Sequence, residues 1–449
     1  MPDLPFQTQL KNNTIELISN KIHVSNKNYH RVYVYLRAGW HISKAKFVQE
    51  KPLHGSEKEI INQIHAIRFN KINPYVITGG HFYQLFVRNL GIFFNTLLDG
   101  RISCSDEDWL DRQSIAIRTI ALDLEVFRQT QKDYTTIVPI RKNLFSCFNF
   151  YARPSDSLFA ILYTLLALTE ERFIEIIFPM NQTKKRSLQT KHAGQQLYKK
   201  YKTSLKQLIQ KYYEDIIDLQ TDLVKKDLLL ASARDGIKRE SSFYDNVIAW
   251  ATIRLANTLG LYQISDNKLE SWRKKIIQTF WDEKEGIFLD DLSEHSQKTK
   301  LFCADSFIVL STEFLKPYRA ADKKYLEQMI RYVKKNKLDD PLPLHYSKFD
   351  MPEKLYGPVR YSAPSYMGTS IWSHWGMEYI KTLIYLGQYT DAKKHLDSYK
   401  RNIETYGGYP ELYDKHGNLL HTRLYRSVLH NGWVINYEQT KMLYDDAKK

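Results

Sequence analysis

Along most of the chain, apolar positions recur every three to four residues. They predict helices near 57–69, 81–98, 106–128, 155–168, 190–218, 241–260, 265–281, 300–316, 319–336, 367–387, 389–405 and 425–444. No sustained alternation of apolar and polar positions separates them. The first 55 residues differ. They hold short stretches such as IELI and HRVYVYLRAGWHI, and in the second Val32 and Val34 fall on one side with Tyr33 and Tyr35 on the other, which predicts strand. The expected organisation is an N-terminal extension over 1–55 with some β structure, followed by a helical body over 56–449.

The connections between predicted helices alternate in character. Some are short turns, such as Leu259-Gly260-Leu261 and Leu386-Gly387-Gln388, where glycine ends one helix just before the next. The others are long and rich in aromatic, Gly, Pro and acidic residues: YVITGGHFYQ, NFYARPSDS, SARDGIKRESSFYDN, WDEKEGIFLDDLSE, LYGPVRYSAPSYMGTS and YGGYPELYDKHGN. Six decorated loops alternating with plain turns suit a double ring of helices. Each inner–outer hairpin would present one long loop at the same end, so function is expected at that mouth. The expected fold is all-α, an (α/α)6 toroid of six hairpins; an open helical solenoid is the alternative, but no fixed-period repeat accompanies it.

Composition narrows the function classes. The 449 residues are 43% hydrophobic and 26% charged, the balance of a globular protein. Tyrosine is abundant, at 31 residues, and Tyr-rich loops favour recognition of carbohydrate or protein. The net charge of +15 raises nucleic acid as a partner, but the basic residues are scattered in small clusters and no nucleic-acid motif joins them. Solvated helix faces account for them, and nucleic-acid binding ranks last. Cys104, Cys147 and Cys303 are few and far apart, against a disulfide framework or a zinc site. The start lacks a basic segment followed by an apolar run, and the longest apolar run, Leu158 to Leu168, is too short for a bilayer. A cytoplasmic protein without membrane attachment is expected, its oligomeric state unspecified.

Two loops carry the chemistry. In YGGYPELYD, Gly407 and Gly408 allow a tight turn, Pro410 biases Tyr409 towards an extended conformation, and Glu411 is presented between Tyr409 and Tyr413. A carboxylate framed by rings suits sugar chemistry, since the apolar face of a pyranose stacks on the rings while the carboxylate positions water. The bland alternative is a solvated surface glutamate. In ARDGIKRESSFYDN, Gly236 permits a sharp turn beside Asp235, and Ser241 or Ser242 can cap the next helix. Asp245 is then explained as a carboxylate in the first helical turn, whereas Asp235 has no such explanation. Glycoside hydrolysis commonly uses two carboxyl groups, about 6.5–9.5 Å apart when the anomer inverts.

The pairing of ARDGIKRESSFYDNVIAWATIRLA with YGGYPELYD resembles the inverting (α/α)6-barrel glycosidases, most closely the glycogen-debranching amylo-α-1,6-glucosidase type, with glucoamylases and trehalases as relatives. The resemblance spans about residues 75 to 445. It implies that Asp235 is the general acid, Glu411 the general base, and Asp245 a residue that binds a sugar hydroxyl or orients the acid. Arg239 falls in the basic stretch after the acid, and Tyr409 in the segment of the base. HFYQLFVRNLGIFFNTLLDGR resembles the family's early sugar-gripping segment and implies roles for Tyr83, Arg88 and Asn89; Asn89 stands where the family has an aspartate.

Among the lesser candidates, Asp156 follows Arg153-Pro154-Ser155 at a helix start, where capping is the simpler account. Tyr361 and Tyr366 are stacking candidates, and Trp372, with Trp375 three residues on, is partly core. Asp290 and Asp291 fit a solvated turn. His374, His421 and His430 lack metal-ligand spacing, so neither metal nor cofactor is expected. The reading is a glycosidase acting by inversion on an α-linked glucoside or related oligosaccharide. Another (α/α)6 carbohydrate enzyme (phosphorylase, epimerase or lyase) and a non-catalytic carbohydrate-binding homologue, to which Asn89 would point, are the alternatives.

Overall fold

The computed structural model describes residues 6–11, 14–19, 21–25, 27–47, 50–69, 75–79, 84–98, 105–141, 143–149, 153–169, 184–233, 236–422 and 424–449. Its described helices are α1 (Asn28–Phe47), α2 (Glu57–Arg68), α3 (Asp106–Thr130), α4 (Ser157–Thr169), α5 (Lys184–Ile216), α6 (Phe243–Thr258), α7 (Asp266–Phe280), α8 (Glu294–Thr299), α9 (Ile308–Ser311), α10 (Ala320–Lys335), α11 (Gly357–Ser362), α12 (Ser373–Tyr385), α13 (Tyr389–Tyr406) and α14 (Val434–Ala447).

Two kinds of helix alternate, and the sequence of each explains its layer. α4, SLFAILYTLLALT, is apolar on every side and almost wholly buried, as an inner helix must be. α6 and α12 are buried nearly as completely. α7 and α10 bury only one stripe, Leu269, Trp272, Ile276 and Phe280 in the first and Leu326, Met329, Ile330 and Val333 in the second. They form the outer layer.

The inner elements close into a ring. The turns over 87–98 pack on α4, α4 on α6, α6 on the short helical turns over 304–311, these on α12, α12 on α14, and α14 back on 95–98. Asn436 Nδ2 donates to the Phe93 carbonyl at 2.5 Å and joins the last inner helix to the first inner element. With α2, α3, α5, α7, α10 and α13 outside, the architecture is an (α/α)6 toroid around one large hydrophobic core, with Val34, Val138 and Phe148 forming a small separate cluster. In chain order each passage from an outer to an inner element carries one of the six decorated loops, so in a ring of antiparallel hairpins these passages share one end. The short turns at Gly260 and Gly387, both with positive φ, lie at the other end.

Four expectations change. The stretch 28–47 is helix, not strand: Val34 is buried against Val138 and Phe148 while Val32 is 57% exposed, so the two valines do not share a face. Residues 84–98, the described part of the stretch 81–98, do not form one helix: Gly91 takes φ 87° with its Cβ position 2.7 Å from the Ala160 backbone. Helix 300–316 shrinks to the turns over 304–311, and helix 425–444 begins only at Val434. Strands also intervene. β1 (Phe6–Lys11) and β2 (Thr14–Ser19) form an antiparallel hairpin that packs on α3 and α5. β3 (His23–Ser25), β4 (Leu85–Phe86), β5 (Thr136–Arg141) and β6 (Leu144–Phe148) form a four-stranded sheet in the order β3-β6-β5-β4. The extension is thereby hydrogen-bonded to the second outer-to-inner passage through the parallel pair β3–β6.

Candidate active site

Glu411 sits where loop and helix geometry leave it little freedom. Gly407 ends α13 in the left-handed conformation, φ 58°, and its N–H caps Ile403. Gly408 passes so close to the Leu429 carbonyl that a Cβ there would lie 2.6 Å from the oxygen. The Glu411 N–H then donates to the Val428 carbonyl at 3.0 Å, and its own carbonyl accepts from the N–H (3.2 Å) and hydroxyl (2.9 Å) of Ser373, the first residue of inner helix α12. Leu412–Tyr413 pairs antiparallel with Ile371–Trp372. Asp414, three residues on, serves the turn, accepting from the N–H groups of His416 and Asn418.

The Glu411 residue is 3% exposed, so the solvated-surface alternative does not hold. The Tyr425 hydroxyl donates to Glu411 Oε2 at 2.7 Å. Burial pushes the carboxyl pKa up to about 7, against the lowering effect of Tyr425 and with the negative charge of Glu50 adding to the rise. The role of base calls for an ionised carboxylate; near neutrality this carboxyl stands close to its midpoint.

From Glu411 a chain of contacts runs through all six decorated loops. Tyr425 meets Tyr366 edge-on at 5.2 Å, Tyr366 meets Trp372 at 5.0 Å, and Trp372 meets Tyr346 at 5.7 Å and Trp433 at 6.1 Å. Trp433 stacks on Phe93 of the first inner element at 4.8 Å, and the Gly432 N–H beside it donates to the Thr78 carbonyl of the first loop at 3.2 Å. Tyr346 donates to Asp305 Oδ2 at 2.7 Å, and Arg239 Nη1 pairs with the same oxygen at 3.0 Å. Arg239 also approaches Asp245 (3.7 Å) and Asp290 (3.9 Å) and lies 5.7 Å over the Tyr244 ring. The Tyr244 hydroxyl donates to Asp156 Oδ2 at 3.3 Å, and Arg88 stands 3.8 Å from that carboxylate. Lys354 pairs with Asp291 at 3.0 Å and with Asp290 at 3.5 Å.

The structure thus joins Arg88, Asp156, Arg239, Asp245, Tyr366, Trp372 and Glu411, and it buries all of them except the half-buried Tyr366. Asp245 also closes an N-terminal cap, accepting from the Ser242 hydroxyl at 2.5 Å while its N–H donates to Ser242 Oγ at 3.0 Å. Asn89, beside Arg88, is buried, with Thr78 donating to its Oδ1 at 3.4 Å and, among the described residues, no hydrogen bond on its Nδ2. Tyr409 is buried and stacks on Tyr399 at 6.0 Å, behind Glu411 instead of in the network. Tyr361 is 79% exposed and outside it. Asp235 and Tyr83 lie outside the described residues; beside Asp235, Gly236 has φ 92°, and its carbonyl accepts from the Tyr356 N–H at 2.9 Å.

Asp290 and Asp291 are not a solvated turn. Both are buried, and Asp291 accepts from Ser293, Ser296, the Glu240 N–H and Lys354. The network also contains Asp305, Tyr346, Lys354, Tyr425 and Trp433, which sequence patterns do not single out. Asp305, Tyr425 and Trp433 lie inside stretches whose periodicity suggests helix; the density of rings and charges around Tyr346 and Lys354 is the only signal for those two. Burial also holds His374, between Phe93 and Trp375, well below the ordinary histidine pKa, so it is neutral and accepts from Asn436. Among the described residues no three His, Cys, Asp or Glu side chains are grouped as metal ligands, and no helix is long and apolar enough to cross a membrane.

No family model and no curated protein matches the sequence. Solved structures do match. The chain aligns with the GH63 mannosylglycerate hydrolase of Thermus thermophilus at TM-score 0.53 and 11% identity, over 86% of this chain and 100% of that one. It aligns with the neutral trehalase of Saccharomyces cerevisiae at TM-score 0.52 and 13% identity, over 83% and 74% respectively. With a rhamnosidase of Klebsiella oxytoca the values are 0.50 and 12%, over 87% of this chain and 64% of that one, so the chain spans less than two thirds of that relative. At these identities the likeness is one of fold.

Proposed function

We propose that the protein is a glycoside hydrolase that cleaves an α-linked glucoside or related oligosaccharide by inversion, with Asp235 as general acid and Glu411 as general base. The observation that carries the reading is the convergence of all six outer-to-inner loops on one network of rings and carboxylates that ends at the buried Glu411. Three solved structures of the same fold, named as a mannosylglycerate hydrolase, a trehalase and a rhamnosidase, support a glycosidic substrate. Tyr366, the half-buried ring of the network, offers a stacking face for a sugar ring and is held edge-on by Trp372 and Tyr425.

In this mechanism Glu411 takes a proton from water as the water attacks the anomeric carbon, while Asp235 protonates the departing oxygen. Glu411 must be ionised to act. Tyr425 steadies the carboxylate by its hydrogen bond, and burial keeps its affinity for the proton high. Activity in the free enzyme is therefore expected to rise with pH through about 7. The raised pKa also favours a second reading, in which Glu411 is the acid; activity would then fall over the same range.

The test is proton NMR of trehalose, α-1,4- and α-1,6-linked gluco-oligosaccharides, mannosylglycerate and an α-rhamnoside incubated with the protein. Initial release of the inverted anomer, lost by on the order of 10²–10⁴-fold in both Glu411→Gln and Asp235→Asn, is the expected result. Retention of the anomeric configuration, or undiminished turnover in Glu411→Gln, sinks the assignment. No release from any substrate, with binding intact, would move the protein to the non-catalytic homologues.

A further inference from the structure

The segment that precedes the toroid runs along the loop that carries Glu411. Glu50 Oε2 accepts from the N–H groups of Leu429 (2.7 Å) and His430 (3.1 Å). Its Oε1 pairs with Arg68 Nη2, at the end of α2, at 2.8 Å. Arg68 in turn donates from Nε to the His430 carbonyl at 2.6 Å. Three residues on from Glu50, the Leu53 N–H donates to the Gly407 carbonyl at 2.8 Å. The loop is therefore held from outside on both of its arms, at Gly407 before Glu411 and at Leu429–His430 after it.

The hold is close to the carboxylate in bonding terms. Val428, whose carbonyl receives the Glu411 N–H, is the residue next to Leu429. A shift of Leu429 and His430 would carry Val428 with it, and through Val428 the backbone of Glu411. We infer that Glu50 is a positioning residue for Glu411: its carboxylate fixes the arm on which the Glu411 backbone rests and sets a second negative charge behind the site. The inference rests on the reading of Glu411 as the base, and it gives the N-terminal extension a part in the reaction.

The charged and titratable groups around this pair come from three elements. Glu50 meets Arg68 of α2 as an ion pair, and His430, whose Nδ1 lies 4.0 Å from Oε1. Burial keeps His430 below its ordinary pKa, so it adds no positive charge at neutral pH. Glu411 meets the Tyr425 hydroxyl and the charge of Glu50, and that charge adds to the effect of burial in holding the proton.

Glu50→Gln separates the two contributions, because its carbonyl oxygen can still accept the two N–H groups while the charge is gone. The first measurement needs no substrate. The melting-temperature difference between the protein and its Glu411→Gln variant, followed from about pH 4 to about pH 9, reports the ionisation of Glu411. In the Glu50→Gln background its midpoint should move to lower pH, by about half a unit or more. An unmoved midpoint overturns the inference. The second measurement follows kcat/KM on whichever glycoside of the NMR panel is cleaved. The acid limb should move to lower pH in Glu50→Gln, and Glu50→Ala, which loses the two acceptor bonds as well, should lose on the order of 10²-fold in kcat/KM. A moved midpoint without turnover of any glycoside would uphold the role of Glu50 and discard the glycosidase reading; turnover with an acid limb fixed in Glu50→Gln would do the reverse.

Discussion

A carboxyl whose pKa is raised to about 7 in the folded protein, as that of Glu411 is, binds its proton more tightly there than in the unfolded chain, where about 4.3 is ordinary. Its contribution to stability is present in full below the unfolded value and is lost as pH rises through the folded value, so above about pH 7 the ionised buried group costs on the order of 3 kcal/mol. Glu411→Gln removes the titration. The variant should match the parent near pH 4 and melt higher than the parent near pH 8, while losing activity. Scanning calorimetry at both pH values checks it; a variant less stable than the parent at pH 8 would contradict the burial argument. The glycine turn, the proline and the flanking tyrosines mark Glu411 in the sequence, because they act within a few residues of it. Its burial and its bond to Tyr425 are not legible there, because they depend on a segment 14 residues away.

At the scale of elements, the helices that can be read from sequence are those whose pattern decides their layer alone. α4 is apolar all round and α7 and α10 carry single stripes, so their helical character and depth follow from periodicity. The stretches that depart are those in which a tertiary contact overrides local preference. Residues 425–433 have a helical pattern, yet they lie along the Glu411 loop because Glu411 bonds Val428 and Leu412 bonds Ser427. Residues 81–98 also have one, yet Gly91 lets the chain approach α4 closely and breaks the described part into turns. That contact makes a prediction of its own. Gly91→Ala would place a Cβ 2.7 Å from the Ala160 backbone at φ 87°, where neither the atom nor the dihedral can relax cheaply. A loss of about 2–4 kcal/mol in unfolding free energy, read from denaturant titration, is expected. A loss below about 0.5 kcal/mol, the range of ordinary surface substitutions, would mean that Gly91 is not a packing glycine.

At the scale of the whole molecule, the alternation of plain and decorated connections is the feature most fully written in the sequence, since it depends on chain order alone. Six loops at one end follow from six antiparallel hairpins. Which residues those loops bring together does not follow, and Lys354 joins Asp291 and Asp290 in a buried cluster only through contacts 63 and 64 residues apart. Closure of the ring is likewise invisible in any local pattern. It rests on α14, which packs against both α12 and the turn over 95–98 and carries Asn436 to the Phe93 carbonyl, 343 residues away. An inner helix of a closed ring has two inner neighbours, so removing the last one strips apolar cover from both the fifth and the first. A chain ending at Trp433 should therefore lose the cooperative thermal transition of the whole protein and associate, instead of melting a few degrees lower. The full chain carrying Asn436→Ala, which keeps α14 and removes the buried hydrogen bonds to the Phe93 carbonyl and to His374 Nδ1, should still unfold cooperatively, with a stability lower by about 1–3 kcal/mol. Should the truncated chain keep a sharp transition near that of the parent, the five remaining hairpins would be stable as an open array, and closure would not be what holds the mouth together.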